Sequence, residues 1–204
     1  MTGQLHEMKR QSDVNEGQLK VMNRQLDVAV TEQRAWVKLE GLDIQNSAPM
    51  SIADGNINLK LALKYKNFGK TLAREVRIFI DVGSPSLDQI RSGYCQNADS
   101  IDYGQVITQL LFPDEPIVAG ISRSIHISQI KSFNPTARPT QIYTIPTIAG
   151  CISYKSSLNV RHHTWFRYEL MQSSGTGGRR FIDARDQVID PSDLILSTDF
   201  TDAD

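Results

Sequence analysis

The residues in this chain most able to do chemistry are two adjacent histidines and a nearby tryptophan, His162, His163 and Trp165. Histidine rings are common metal ligands, so this group is a candidate metal or small-ligand site. The surrounding pattern, however, predicts a strand over 163–171, and neighbouring side chains on a strand point to opposite faces. One metal ion would rarely reach both rings, and no cysteine or glutamate stands at ligand spacing nearby. We therefore expect one histidine on the solvent face, the other near a strand end, and no metal or other cofactor.

A phosphate-binding loop at Gly69, Lys70 and Thr71 fails on spacing and context. The motif requires a glycine five residues before Gly69, where this chain has Lys64. It also requires a following helix, whereas a strand pattern follows. Asn67 and Gly69 are better explained as turn-forming residues in a hairpin connection.

Other functional classes lack a sequence signature. The chain has no Gly-x-Ser-x-Gly motif for a nucleophilic serine, and its carboxylates are scattered rather than paired. Its net charge of −1 and isoelectric point near 6.4 provide no positive field for nucleic acid. We expect a protein that is not an enzyme and does not bind nucleic acid.

The elements that must position any site are mainly β-strands. After residue 36 the apolar residues begin to alternate with polar ones, and Gly41 lies where the phase slips, as at a β-bulge. The clearest strand turns Ile57 to Tyr65 inward on alternate positions, and the next does the same from Val76 to Val82. Further strand patterns cover 121–130, 142–154, 163–171 and, as an edge strand in the tail, 194–196.

The segments between these strands are expected to be mostly irregular. Residues 45–56 have the composition of a loop. Residues 94–120 are expected to be irregular, with 112–116 as a rigid corner. Ser84 and Pro85 predict a short helix that ends near Gly93. The basic stripe on the outer face of the first clear strand indicates solvation and protection of a sheet edge. Its members are Lys60, Lys64 and Lys66.

The first 33 residues have the alternating three- and four-residue spacing of a coiled-coil seam. Ser12 and Asn15 put two polar layers into this seam, and so narrow a seam cannot stabilise a lone helix in water. We therefore expect a homo-oligomer, with a helix folded back on its own β domain or a frayed linker as alternatives. The seam residues expected to mediate assembly are Leu5, Met8, Leu19, Met22 and Leu26.

The two cysteines, Cys95 and Cys151, are expected to be separate thiols, with a bridge between them as the alternative. The N-terminus lacks the apolar core of a signal peptide, so no export signal supports oxidation. No apolar run is long enough to cross a bilayer. As written, the chain is expected to be cytoplasmic, or associated with the inner membrane if an anchor lies upstream of Met1.

The chain resembles a group of uncharacterised bacterial, mainly proteobacterial, proteins. Their similar features are Arg34-Ala-Trp-Val37, Asn67-Phe-Gly-Lys-Thr-Leu-Ala73, Leu111-Phe-Pro113, Gly150-Cys-Ile-Ser-Tyr154 and His162-His-Thr-Trp-Phe166. The resemblance implies a membrane-spanning helix, then a heptad segment, then a β domain, with no assigned activity. Leu72 replaces the usual proline, and the spanning helix expected before Met1 is absent. Either this protein is a soluble variant or its true start lies upstream.

Together these patterns predict a mainly β protein with one long N-terminal α-helix. We expect a coiled-coil helix over 1–35 and an immunoglobulin-like antiparallel β-sandwich over 36–204. The favoured function is a non-enzymatic interaction or scaffold protein that oligomerises through its helix, near the inner membrane. The first alternative is a small-ligand or metal-binding module, including a hydrolase, that uses His162 or His163. The second is a membrane-anchored sensor that binds a ligand outside the cytoplasm, which a Cys95–Cys151 disulfide would favour.

Overall fold

The computed structural model describes residues 2–45, 50–100, 102, 104–130, 132–133, 142–174, 177–185 and 187–203. Within these ranges the side chains of residues 2–7, 27–33, 132–133 and 199–200 are not described.

Helix α1 (Thr2–Gln33) contains 32 residues and corresponds to the predicted seam segment. Proline is absent from this stretch, and Gly17 has open space around it, so a continuous helix is sterically allowed. Every described side chain of this helix, from residue 8 to residue 26, is exposed to solvent. The helix therefore does not pack on the β domain over this range, which argues against the folded-back alternative there. Leu5 lies in α1, but its side chain is outside the described set.

The strands occupy most of the chain after residue 36. They are β1 (Val37–Ile44), β2 (Met50–Ala53), β3 (Asn56–Asn67), β4 (Ala73–Gly83), β5 (Gln105–Leu111), β6 (Pro116–His126), β7 (Ser132–Phe133), β8 (Tyr143–Thr144), β9 (Thr147–Lys155), β10 (Arg161–Ser173), β11 (Arg179–Arg180), β12 (Ile182–Asp183), β13 (Gln187–Ile189) and β14 (Leu194–Ala203). The described helices after α1 are a π-helix (Gln89–Tyr94), α2 (Cys95–Asp99) and two short 3-10 helices (Ile127–Gln129 and Pro191–Asp193).

The described strands pair in antiparallel fashion in three sheets. In sheet A, β3 is flanked by β6 on one side and by β1 and β2 on the other, and β13 extends beyond β2. In sheet B the order is β11-β10-β9-β4-β5, with β14 also paired to β10. Sheet C is a small patch of β12, β8 and β7. The mainly β composition with an N-terminal helix agrees with the sequence prediction.

Sheets A and B contribute to one hydrophobic core. The alternating residues of β3 are all buried, as predicted, and so are those of β4 from Val76 to Val82. Burying one such aliphatic side chain contributes roughly 1.5–3 kcal/mol, which is why the alternation predicts these strands well. The predicted bulge is confirmed, since the β1–β3 register shifts between Leu39 and Gly41.

The lysine stripe on β3 does not protect a sheet edge, because β3 has paired strands on both sides. Two of its lysines instead form ion pairs across the outer face of sheet A. Lys64 Nζ lies 2.8 Å from Glu40 Oε2, and Lys66 Nζ lies 2.9 Å from Asp114 Oδ1. The alternation predicted the outward direction of the lysines, but only strand order decides whether a strand is an edge.

The connection from β3 to β4 is a crossover between sheets A and B and not the predicted hairpin. Fully buried Asn67 holds it in place. Its Oδ1 accepts from the backbone N–H of Trp36 (3.0 Å) and Gly69 (2.9 Å). Its Nδ2 donates to the carbonyls of Thr71 (2.8 Å) and Leu111 (3.2 Å). The Asn67 side chain therefore uses both of its polar groups to join the helix–strand junction, the crossover and the end of β5.

Gly69 has no room for a side chain in this crossover. A Cβ there would lie 2.1 Å from the Arg34 carbonyl oxygen and 2.5 Å from the Trp36 nitrogen. The glycine is explained by close backbone approach, and not by a hairpin turn.

Two further expectations need correction. Met50–Ala53 is a strand inside the predicted loop, of which residues 46–49 lie outside the described residues. Residues 105–111 and 116–126 are strands within the region expected to be irregular around the 112–116 corner. β2 is too short, and β5 is too exposed, for alternation to stand out in the sequence. The predicted tail strand is confirmed as β14, which pairs with β10.

Candidate functional site

A helical segment covers the outer face of sheet B. We call it the strap, residues Gln89–Asp99, which comprises the π-helix and α2. It begins later than predicted and runs through Gly93, where the sequence predicted its end. A disulfide between Cys95 on the strap and Cys151 on β9 ties it to the sheet, with the two Cα atoms 5.0 Å apart. The expectation of two separate thiols is therefore wrong.

The strand register under the strap places side chains in rows. Paired positions on neighbouring antiparallel strands share a face. Phe79, Cys151 and Trp165 form one row across β4, β9 and β10. With Tyr94 and Ala98 of the strap, this row makes a second small apolar cluster, separate from the main core. The disulfide thus lies inside a packed layer on the outer face of the sheet.

The next row on this face is polar and carries Arg77, Ser153 and His163. Asp99 at the end of the strap lies over it. Its Oδ1 accepts from the buried Ser153 hydroxyl and from Arg161 Nη1 at 2.9 Å, and Oδ2 lies 3.1 Å from His163 Nε2. Arg77 Nη1 also donates to the Asp99 carbonyl oxygen at 3.3 Å. We call Asp99, Ser153, Arg161 and His163 the Asp99 cluster.

Electrostatics favour the ionised form of Asp99. Burial raises the pKa of its carboxyl, but the hydrogen bonds from Ser153, His163 and Arg161 outweigh burial and hold the pKa below its usual range. A carboxylate at a helix C-terminus is otherwise unfavourable, because the last carbonyls carry partial negative charge. The Arg161 guanidinium, 2.9 Å from Asp99 Oδ1, offsets that cost.

Glu75 extends the charged region beyond the cluster. It lies at a register irregularity in β4 and has φ of 49°, a left-handed conformation that costs a non-glycine residue roughly 1 kcal/mol. Its Oε1 lies 2.8 Å from Lys155 Nζ, and Oε2 lies 3.8 Å from Arg161 Nη2. The hydrogen bond from Lys155 lowers the pKa of Glu75. The bulge therefore directs Glu75 towards two cations of the outer face.

The Asp99 cluster contains a serine, a histidine and an aspartate, but its geometry is not that of a catalytic triad. A triad places histidine between the serine and the carboxylate, so that the ring accepts the serine proton. Here Asp99 lies at the centre and itself accepts the hydrogen bond from the Ser153 hydroxyl. Ser153 is also fully buried. Among the described residues, no group of three or more His, Cys, Asp or Glu side chains is arranged to hold a metal. The arrangement is suited to fastening the strap.

The predicted ligand-site residues separate as strand geometry requires. His163 and Trp165 lie on the outer face of sheet B, and Arg91 of the strap lies 5.4 Å from the centre of the Trp165 ring. His162 lies on the other face, where its ring centroid is 5.7 Å from that of Tyr154. The histidines therefore do not form one site. The expected solvent-facing histidine is a part-buried partner of Asp99.

Sequence reasoning missed Asp99, Ser153 and Arg161 as partners, although one signal was present. On β9 the outward residues Ala149, Cys151 and Ser153 are all small, and nearly the whole strand is buried. Small outward residues on a strand buried on both faces indicate that another element covers it. The identity of that element is a matter of tertiary contact.

The seam residues form the other candidate site. Met8, Leu19, Met22 and Leu26 are each between 59% and 73% exposed, and Leu5 lies outside the described side chains. No helix within the described part of the chain is both long and apolar enough to cross a membrane. Comparisons of the chain with protein-family models, with curated proteins and with solved structures find no match. The molecule is thus defined by its architecture, an exposed helix followed by an antiparallel β domain with a disulfide-tethered strap.

Proposed function

We propose that this chain is a non-enzymatic interaction protein that self-associates through α1 and presents its β domain to a partner. The observation that supports the proposal is the exposure of Met8, Leu19, Met22 and Leu26 along one predicted seam. Fully burying one such side chain contributes roughly 1.5–3 kcal/mol, and a helix that leaves several exposed gains this free energy only by association. The polar positions Ser12 and Asn15 fit a seam whose register is set by matched polar layers.

Sedimentation of the full chain tests this proposal. Truncating Leu19 and Leu26 together to alanine removes two apolar layers, so we expect self-association to weaken by on the order of 100-fold. The β domain, which α1 does not contact over the described side chains, should keep its thermal transition. The readout is the oligomer population in analytical ultracentrifugation over a range of concentrations.

Val14 and Val21 provide the matched control. Both are more than half exposed, and both lie on the outer face of α1 by the same heptad spacing. The Val14→Ala, Val21→Ala variant should sediment like the unmodified chain. A monomeric unmodified chain, or equal behaviour of the two double variants, would overturn the seam assignment.

We further infer that sheets A and B form a β-sandwich, because alternating residues from both enter one core. The proposal keeps the expected immunoglobulin-like arrangement with one difference. In antibody domains the disulfide joins the two sheets through the core. Here it joins the strap to the outer face of sheet B. The disulfide therefore does not link the two sheets through the core, and it serves the strap.

The Cys95–Cys151 bridge favours a second functional hypothesis, in which the β domain works as a sensor outside the cytoplasm. Stable structural disulfides form in oxidising compartments and are rare in the cytosol of mesophiles. We propose that the domain lies in such a compartment, contrary to the cytoplasmic expectation. Alkylation of free thiols in intact cells, followed by mass measurement, should find both cysteines protected until a reductant is added. Two alkylated thiols without reductant would overturn the compartment assignment.

A further inference from the structure

A polar cleft of about 530 Å³ lies beside the strap, at the end of β4. One wall comes from the strap, another from the end of β4 and the segment that follows it, and a third from β6 and the 3-10 helix after it. Ligand pockets are commonly about 300–1,000 Å³, so the cleft has room for a small organic molecule. Its polar lining includes Asp81, Gln89, Ser92, Asn97, Ser124 and Gln129.

The strap wall of this cleft is a π-helix, which is a rare conformation in proteins. Gln89, Ser92, Gly93 and Tyr94 all belong to it and all line the cleft. π-helical turns are less favourable than α-helical ones and occur frequently at functional sites. The adjoining disulfide holds this wall against sheet B. The wall is therefore both unusual in its backbone and fixed in position.

Asp81 supplies a carboxylate to the cleft and Tyr94 supplies a phenol, and the Arg123 guanidinium lies nearby. Burial, and then the charge of Asp81, raise the pKa of Tyr94 to about 12, so its hydroxyl remains a hydrogen-bond donor at neutral pH. Arg123 Nε donates to the Ile80 carbonyl at 2.8 Å. Burial lowers the pKa of this guanidinium, and the charge of Asp81 partly counters that effect. Arg123 does not line the cleft, so the carboxylate of Asp81 and the hydroxyl of Tyr94 are the groups of this set that a ligand would meet.

We propose that this cleft binds a small neutral carbohydrate. Serine, asparagine and glutamine side chains both donate and accept hydrogen bonds, which matches hydroxyl groups that do the same. An aspartate accepts two hydroxyl donors, and Tyr94 adds an aromatic surface together with a donor. Asp81 is the only charged lining residue among the described ones, so neither an anion nor a strongly charged cation finds a matching set of partners.

A second cleft on the molecule offers a contrast. It lies between the end of β1 and the start of β14, and Asp43 and Gln45 line it together with aliphatic residues such as Leu42, Ile44, Leu194 and Leu196. This lining has fewer side-chain groups able to bond sugar hydroxyls than the lining of the cleft beside the strap. The carbohydrate assignment therefore applies to the cleft beside the strap and not to this second cleft.

This inference deepens the sensor hypothesis, on which it rests for its biological setting alone. The test uses the full, oxidised chain labelled with ¹⁵N and titrated with maltose, cellobiose, lactose and N,N′-diacetylchitobiose. We expect at least one of these sugars to shift the amide resonances of residues 81–97 and 124–129, with an affinity insensitive to salt. Glucuronate, the charged counterpart of glucose, should bind no more tightly than glucose.

Two variants locate the binding. Gly93→Leu should abolish the shifts, because Gly93 lines the cleft and the open space around its Cβ position leaves room for a large side chain to occupy part of it. Asp81→Asn should weaken binding at least tenfold while keeping an acceptor for the Val82 N–H. The matched control is Gly17→Leu, since Gly17 is also helical with open space around it but lies in α1.

Each outcome decides the proposal. No shifts with any of the four sugars, shifts that survive Gly93→Leu, or tighter binding of glucuronate would overturn it. The seam variant Leu19→Ala, Leu26→Ala should bind the same sugar with unchanged affinity per chain. A binding failure alongside cysteines that are oxidised in cells would remove the cleft assignment and leave the compartment proposal standing.

Discussion

Two polar centres hold the covering segments of this molecule in place, and they do so by different chemistry. Asn67 is a neutral amide whose four hydrogen bonds all go to backbone groups. Asp99 is an anion whose carboxylate is held by three side chains, and two of these are basic. The first centre joins the helix junction to the crossover, and the second joins the strap to sheet B. Both connect segments that lie far apart in sequence.

The difference between them lies in what can disturb each centre. An amide offers donors and an acceptor at every accessible pH, and backbone partners cannot change their protonation. A carboxylate loses its role when it is protonated, and two of the partners of Asp99, Arg161 and His163, are partly exposed to solvent. The junction is thus built as a permanent joint, whereas the strap depends on pH at Asp99 and on redox conditions at Cys95.

The largest expected effect is at the permanent joint. Asn67→Ala leaves two backbone N–H groups and two carbonyls without this partner, at a cost of roughly 1–3 kcal/mol for each group that water cannot reach. We expect a loss of unfolding free energy on the order of 4 kcal/mol, measured by urea denaturation. Asn58→Ala on the same strand is the control, because Asn58 is only partly buried. Equal losses for both variants would show that the amide network is not what holds the junction.

The next largest effect is expected from loss of the Cys95–Cys151 disulfide, which is the redox-dependent attachment of the strap. Cys95 and Cys151 are separated by 56 positions, so reduction restores considerable freedom to the unfolded chain. Replacing both cysteines by alanine should lower the unfolding free energy by about 3 kcal/mol. Reductant should have a similar effect on the unmodified chain and none on the variant. A variant that still responds to reductant would contradict this account.

A smaller effect is expected at Asp99, which is the pH-dependent attachment of the strap. Asp99→Asn keeps the size of the side chain but removes the charge that Arg161 and His163 face. We expect a loss of about 1–2 kcal/mol at pH 7, reduced by the exposure of a third of the Asp99 side chain to solvent. Hydrogen exchange should increase along the strap more than in β3. Equal exchange in both regions would argue against a role in fastening the strap.

The pH dependence of these variants sharpens the comparison further. Because the folded pKa of Asp99 is lowered, its stabilisation is complete above the unfolded carboxyl value of about 4 and is lost as pH falls through the lower folded value. The stability gap between the unmodified chain and Asp99→Asn should therefore shrink on acidification below about pH 4. The gap for Asn67→Ala should stay constant over the same range. Urea denaturation in a pH series measures both, and parallel gaps would contradict the proposed difference.

Much of the β architecture could be predicted from the sequence, because burial on one face forces apolar and polar residues to alternate. That rule located β1, β3, β4 and the tail strand, and it predicted that His162 and His163 point apart. The three- and four-residue spacing likewise predicted α1. In each of these cases the deciding contacts are local, so the pattern within one element carries the information.

The tertiary structure alone decided the rest. Whether β3 and β4 form a hairpin or cross between sheets depends on strand order, which alternation within a strand does not encode. The disulfide, the Asp99 cluster and the cleft all depend on the strap lying over β9, and the residues they join are far apart in the chain. The sequence by itself determined which faces are apolar. The packing of one element on another determined which polar and sulfur groups meet, because those contacts exist only once the chain has folded.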